Sequence, residues 1–269
     1  MPNISKSLII YFVLANLFSI NAAYATDDFP GRTQYPNVEY ITVDDLYKKR
    51  ASVVIVDTRS DYEYNTLRIK NAVNIPVSNI EFSKRIRELA DSEKKPIVFY
   101  CNGHSCTKSY EAVIKAKRFA KLTDTVAFDA GVTDWALRYP DEAVLLGRSP
   151  VDPTKLISSD EFKQHLLKPA DFVEKANKHC LIIDVRDGTQ RHDHIFAGFE
   201  HSVSLDKMQQ QLLDKYIDQA VSEKKPLCIY DAVGKQVEWL QYHLKQKNVR
   251  DYFFMDGGVK AYEDMRKQQ

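Results

Sequence analysis

Short apolar runs alternate with stretches of helical period along most of the chain. Val53-Val54-Ile55-Val56 and Ile97-Val98-Phe99-Tyr100 are rich in β-branched and aromatic residues and read as buried strands. Leu181-Ile182-Ile183 and the run ending at Tyr230 read the same way. After Ser109 the pattern turns helical, with Ala112, Val113, Ala116, Phe119 and Ala120 spaced for one apolar stripe. Strands that alternate with helices predict an α/β fold: a mainly parallel sheet with helices on both faces and right-handed crossovers.

The pattern occurs twice. Ile41-Thr42-Val43-Asp44-Asp45-Leu46 matches Ile157-Ser158-Ser159-Asp160-Glu161-Phe162, and each reads as a capping box that opens a helix. Val56-Asp57-Thr58-Arg59 matches Ile183-Asp184-Val185-Arg186, and Ser92-Glu93-Lys94-Lys95-Pro96 recurs as Ser222-Glu223-Lys224-Lys225-Pro226. Asp129-Ala130-Gly131-Val132 is answered by Asp256-Gly257-Gly258-Val259, and Trp135 by Tyr262. A period of domain size implies two copies of one domain rather than a solenoid. The expected organisation is residues 26–140 and 157–269, joined by a proline-bearing linker over 141–156.

Residues 1–25 stand apart. Lys6 precedes an apolar stretch from Leu8 to Ile20, and Ala23-Tyr24-Ala25 fits a small-x-small cleavage site. This predicts a cleaved signal peptide, a periplasmic location in a Gram-negative source, and no membrane attachment after cleavage. Formal net charge is +1 over 269 residues and falls to neutral without Lys6, so no strong field points to nucleic acid.

The chemistry concentrates after the strand that ends at Tyr100. Cys101 falls at its carboxyl end, and Asn102-Gly103-His104-Ser105-Cys106-Thr107-Lys108 runs from there into a helix. Free backbone N–H groups and the positive end of the helix dipole favour an anion at such a place. A cysteine held there is expected to ionise readily and to act as a nucleophile. Gly103 lets the backbone bend around it. Asp57 and Arg59, at the end of a neighbouring strand, read as an ion pair that pins the strand exit.

Val56-Asp57-Thr58-Arg59, Glu63-Tyr64, Arg68-Ile69 and Asn71-Ala72-Val73-Asn74-Ile75-Pro76 resemble the first signature of the rhodanese family. Phe99-Tyr100-Cys101 with its loop, and Asp129-Ala130-Gly131 followed by Trp135, resemble the later ones. The second copy keeps Asp184-Val185-Arg186, His194-Ile195, Ala197-Gly198 and Asp256-Gly257-Gly258. The resemblance covers nearly all of the chain after residue 25. It implies two tandem rhodanese-like domains and a sulfurtransferase that needs no cofactor. Cys101 would take sulfane sulfur from a donor such as thiosulfate as a persulfide. A thiophilic acceptor, such as cyanide, a small thiol or a protein thiol, would then remove it. Amides from Asn102 to Lys108 would hold the charge, with His104, Ser105, Thr107 and Lys108 available to orient an anionic donor.

The chain departs from the family in several places. Lys108 stands where an arginine is common, and Arg68 where histidine is usual. Cys106 is an extra thiol, open to two readings: a partner that resolves a persulfide or closes a disulfide with Cys101, or a loop thiol packed inward. In the second copy Asp231 replaces the cysteine, in a shorter loop, so that domain is expected to be non-catalytic. Cys180 and Cys228 are expected as buried free thiols. His192, His194 and His201 match no closed zinc pattern, so no metal site is expected. A phosphatase of this fold would need an arginine where Thr107 stands, which argues against phosphoryl chemistry. Two other classes stay open: a thiol–disulfide protein using Cys101 and Cys106, and a binding module without turnover.

Overall fold

The computed structural model of the protein describes residues 28–268; the expected leader over residues 1–25 lies outside them. Among the described residues, eleven strands form two parallel sheets and one ribbon. In chain order the first domain carries β1 (Val54–Asp57), β2 (Leu67–Ile69), β3 (Val73–Asn74), β4 (Ile97–Tyr100), β5 (Thr125–Phe128) and β6 (Ala143–Leu145). The second carries β7 (Leu166–Leu167), β8 (Leu181–Asp184), β9 (Glu200–Ser202), β10 (Leu227–Tyr230) and β11 (Tyr252–Met255). The sheet orders are β3-β1-β4-β5 and β7-β11-β10-β8-β9, with every pairing parallel. All residues of β1, β4, β8 and β10 are buried, as an apolar run covered on both faces requires.

Each face of the first sheet has its own core. Phe82, Ile86, Phe99, Tyr110 and Val113 pack on one side. Leu46, Leu67, Tyr100, Phe128 and Trp135 pack on the other, and that layer continues into the second domain through Ile157, Trp239 and Tyr242. Tyr62 and Phe162 touch this layer and the core of the second domain alike, so the two domains share a packed seam. Beside that seam, within the second domain, the Tyr242 hydroxyl accepts the Ile157 N–H at 3.0 Å.

Three expectations need correction. Residues 141–156 are no free linker: the apolar run of β6 pairs antiparallel with β2, and Ala143, Val144, Leu145 and Val151 are buried. Phe119 ends the helix Lys108–Phe119 at 60% exposure, outside the stripe, with the Arg118 guanidinium 5.1 Å from its ring. Thr42 and Ser158 do cap helices, accepting the N–H groups of Asp45 and Glu161. The reciprocal box forms instead at Ser60 and Glu63, where the glutamate reaches back to the Ser60 N–H at 2.9 Å.

Candidate active site

Because β1 and β4 are neighbours with Asp57 opposite Tyr100, the chain leaves both strands side by side at one sheet edge. Arg59 folds back over that edge. Its guanidinium donates twice to Asp57, at 2.9 and 2.6 Å, and once to the Leu67 carbonyl at 2.6 Å. It also donates to Asn102 Oδ1 at 3.2 Å, which ties the clamp to the loop. Both charges are fully buried, so each depends on the other.

The loop from Cys101 to Thr107 then enters the helix at Lys108. Gly103 has φ of 140°, and a Cβ there would lie 2.6 Å from the Ala130 carbonyl oxygen, so glycine is required as expected. The Cys101 carbonyl accepts the Val132 N–H at 3.0 Å. Its thiol donates to the Cys106 carbonyl at 3.3 Å and lies 3.9 Å from Ser109 Oγ.

This arrangement changes the expected picture of the nucleophile. Cys101 has no exposed surface, whereas Cys106 is half-buried and lines the cleft. Burial pushes the Cys101 thiol up, and the adjacent Cys106 sulfur adds to that. Cys106 is drawn down to about 6, first by the Cys101 thiol as donor, then by the N–H groups of Lys108 and Asn102 against the cost of burial. The N–H groups of Gly103 and Ser109 turn to Cys101 instead. The pair therefore loses one proton readily and holds the second.

The other loop side chains are largely engaged. Asn102 donates to Glu63 Oε1 at 3.1 Å, so its amide is fixed between Glu63 and Arg59. Lys108 faces Glu63 at 3.6 Å. His104 pairs with Asp134 at 3.0 Å and stacks on Phe29. Thr107 donates to Glu111 at 2.7 Å. Ser105 lines the cleft. Glu63, held below its usual range by Lys108, Arg59 and Ser60 although burial opposes this, is a residue the sequence reading used only as a signature. Its Ser60-x-x-Glu63 spacing was the available signal. Ser109 was also missed as a neighbour of the thiol.

These groups open on a cleft of about 960 Å³ between the domains, to which the second domain contributes Asp187, Gln190, Lys235, Gln236, Glu238 and Trp239. A separate cavity of about 380 Å³ lies between Leu145 and the helix Val237–Gln246 and contains no thiol. In the second domain Asp231 occupies the position of Cys101 and fills its own cradle. Oδ1 accepts the N–H groups of Val233 at 2.9 Å and of Gly234; Oδ2 accepts those of Gln236 at 2.5 Å and Val237 at 3.1 Å.

The remaining candidates resolve simply. Cys180 and Cys228 form a disulfide rather than two free thiols. Ile182 is paired with Cys228, so Cys180, two residues before Ile182, falls on the same face, at a Cα separation of 5.6 Å. The three histidines do not converge: His194 pairs with Glu200, and His201 stacks on Tyr216. Asp184, whose carboxylate lies within 4.8 Å of the ligand atoms of His194 and Glu200, is held by Arg186.

Fold and site define a pair of α/β domains, the first of which carries a thiol-bearing loop at the end of β4. Residues 42–138 and 168–265 match the Rhodanese family of rhodanese-like domains, and the chain belongs to that family. The tRNA uridine(34) hydroxylase of Cytophaga hutchinsonii is 42% identical over 57 residues, covering 21% of this chain and 18% of that protein. The HTH-type transcriptional regulator Rv0324 of Mycobacterium tuberculosis is 28% identical over 137 residues, 50% of this chain and 56% of that one. The chain thus spans little more than half of either relative at most. Thiosulfate sulfurtransferase from Pseudomonas aeruginosa aligns at 16% identity and a TM-score of 0.34, over 86% of this chain and 46% of that one.

Proposed function

We propose that the protein is a sulfurtransferase that moves sulfane sulfur from a donor such as thiosulfate to a thiophilic acceptor through a persulfide on Cys101. The observation that carries this reading is a cysteine at the end of β4 whose thiol donates to the carbonyl of a second, cleft-lining cysteine, Cys106, in the loop that enters the helix Lys108–Phe119. Cys101 gives up its proton to water from the cleft and reacts as the thiolate. That thiolate attacks the outer sulfur of thiosulfate, sulfite departs, and Cys101 holds the persulfide. Gly103 and Ser109 supply N–H groups for its charge. Cyanide or a thiol then takes the outer sulfur, so the kinetics are ping-pong. Cys101 is buried while Cys106 lines the cleft, so a movement of the loop at Cys106 admits the donor to Cys101.

The second domain acts as a wall of the cleft, its cradle already occupied by Asp231. The charge of the cleft also bears on the donor. Glu63, Glu111, Asp134, Asp187 and Glu238 line it against Lys108, Lys115 and Lys235, which favours a weakly charged donor or a thiol carrier over free thiosulfate. Residues 1–25 are read as an export signal, with the protein in the periplasm of a Gram-negative source. The Cys180–Cys228 disulfide supports that reading, because such bonds persist in oxidising compartments. An amino-terminal sequence of the exported protein starting at Thr26 is the expected result.

Rapid alkylation of the reduced, thiosulfate-treated protein, followed by peptide mapping, tests the transfer. One extra sulfur on the Cys101 peptide is expected. An unmodified Cys101 peptide, with no sulfite released, contradicts the reading.

A further inference from the structure

Cys106 is the one loop residue whose chemistry simple sulfur transfer leaves over. It is a second nucleophile in contact with the first, on the cleft side of it. A loop thiol serving only as packing would turn inward and leave the amides to the sulfur carrier. Here Cys106 lines the cleft, while Cys101 lies buried with its S–H on the Cys106 carbonyl at 3.3 Å. The second domain shows what its own loop holds when one residue fills it. Asp231 Oδ1 takes the N–H groups of Val233 and Gly234, and Oδ2 those of Gln236 and Val237. That loop serves two acceptor atoms of one side chain, and the loop of the first domain carries two sulfurs instead.

We infer that Cys106 is a resolving cysteine, and that the two thiols reduce bound sulfane sulfur to sulfide while closing a Cys101–Cys106 disulfide. This rests on Cys101 as the sulfur carrier. The Cys106 thiolate attacks the inner sulfur of the Cys101 persulfide, the bond between inner and outer sulfur breaks, and the outer sulfur leaves as HS⁻. One S–S bond forms and one breaks. The sulfane sulfur gains two electrons, and the two cysteine sulfurs lose them between them. No external oxidant is needed. A dithiol reductant reopens the disulfide before the next turn.

The geometry suits this step. The Cys101 S–H donates to the Cys106 carbonyl at 3.3 Å, so the two cysteines are in direct contact. The Cys106 N–H donates to the Gly103 carbonyl at 2.7 Å, a tight turn that brings the end of the loop back over its start. The thiolate available on Cys106 near neutral pH supports its role as the attacking group. An acceptor in the cleft competes with Cys106 for the same persulfide, so the protein has two outlets, transfer or release as sulfide.

A single-turnover experiment decides the matter. Full-length reduced protein, freed of thiol, is treated with a slight excess of thiosulfate, and sulfite, sulfide and intact mass are followed. The wild type is expected to release one equivalent each of sulfite and sulfide, and to end two protons lighter with Cys101 joined to Cys106 in the peptide map. Cys106→Ser, followed at alkaline pH where its buried Cys101 thiol ionises, is expected to release sulfite, stop at a stable persulfide, and lose at least about ten-fold in sulfide formed per sulfite. Cys106→Ala serves as a second variant, with circular dichroism confirming that each is folded. A wild-type protein that holds its persulfide and yields no sulfide overturns the proposal while leaving sulfur transfer intact. Absence of sulfite from every protein overturns the sulfurtransferase reading and this proposal with it.

Discussion

The backbone of Gly131 presses against that of Gly103: a Cβ on Gly131 would lie 2.4 Å from both the Gly103 Cα and N. The turn that follows β5 therefore forms the floor of the thiol loop. The second domain repeats the arrangement, with Gly258 set against the Asp231 carbonyl oxygen at 2.5 Å by the same measure. Gly131 also has φ of 72°, which an L side chain rarely adopts. Gly131→Ala should push the loop outward and cost at least about 2 kcal/mol. It should also reduce sulfur loading by more than ten-fold. Thermal unfolding and sulfite release measure the two effects.

The thiol pair has a pH signature. Alkylation of the reduced protein by iodoacetamide should show a midpoint near the value of about 6 given to Cys106. Cys106→Ser should abolish that midpoint, leaving a buried thiol that reacts only at alkaline pH. The same group contributes to stability with a definite sign. Its folded value lies below the unfolded one, so its contribution is present above the unfolded pKa and is lost as pH falls through about 6. Urea denaturation of wild type and Cys106→Ser should therefore diverge at high pH and converge below that value.

Asp57 and Arg59 position the loop rather than react. Arg59→Ala leaves a buried carboxylate without its partner and frees Asn102 from the clamp. A loss of about 3–5 kcal/mol is expected, read as a lower urea midpoint. The Trp239 ring, 4.9 Å from the Arg59 guanidinium, loses its cation as well, so the seam between the domains should weaken together with the loop.

Glu238 reaches the cleft from the second domain, and burial, with Glu63 nearby, raises its pKa. Glu238→Gln removes one carboxylate from the route of an anionic donor. It should lower KM for thiosulfate several-fold with little change in kcat. Steady-state kinetics at two ionic strengths check this, because the difference from wild type should shrink as salt rises.

Much of this was legible in the sequence. The double run of strand and helix patterns, and the pairing of Gly131 with Gly258, predict two parallel-sheet domains because periodicity and turn chemistry are local signals. The Asp57–Arg59 clamp and the need for Gly103 followed from residue type and position at strand ends. What sequence did not carry was side-chain direction. Cys101 and Cys106 are five residues apart, and nothing in that spacing shows which sulfur lies beneath and which faces the cleft. The Cys180–Cys228 bond depends on β8 lying beside β10, a long-range pairing. The segment 141–156 looked like a linker from its prolines, although β6 within it completes a ribbon with β2. Glu63 hid in plain view, because its capping spacing gave no hint that Asn102 and Lys108 would converge on it.

Turnover of thiosulfate and cyanide into sulfite and thiocyanate, compared between wild type and Cys101→Ser, tests the central claim most directly. Steady production of both products by the wild type, with parallel ping-pong lines, and none above background by Cys101→Ser, is the predicted result. Turnover that survives in the serine variant, or is absent from the wild type, contradicts the account.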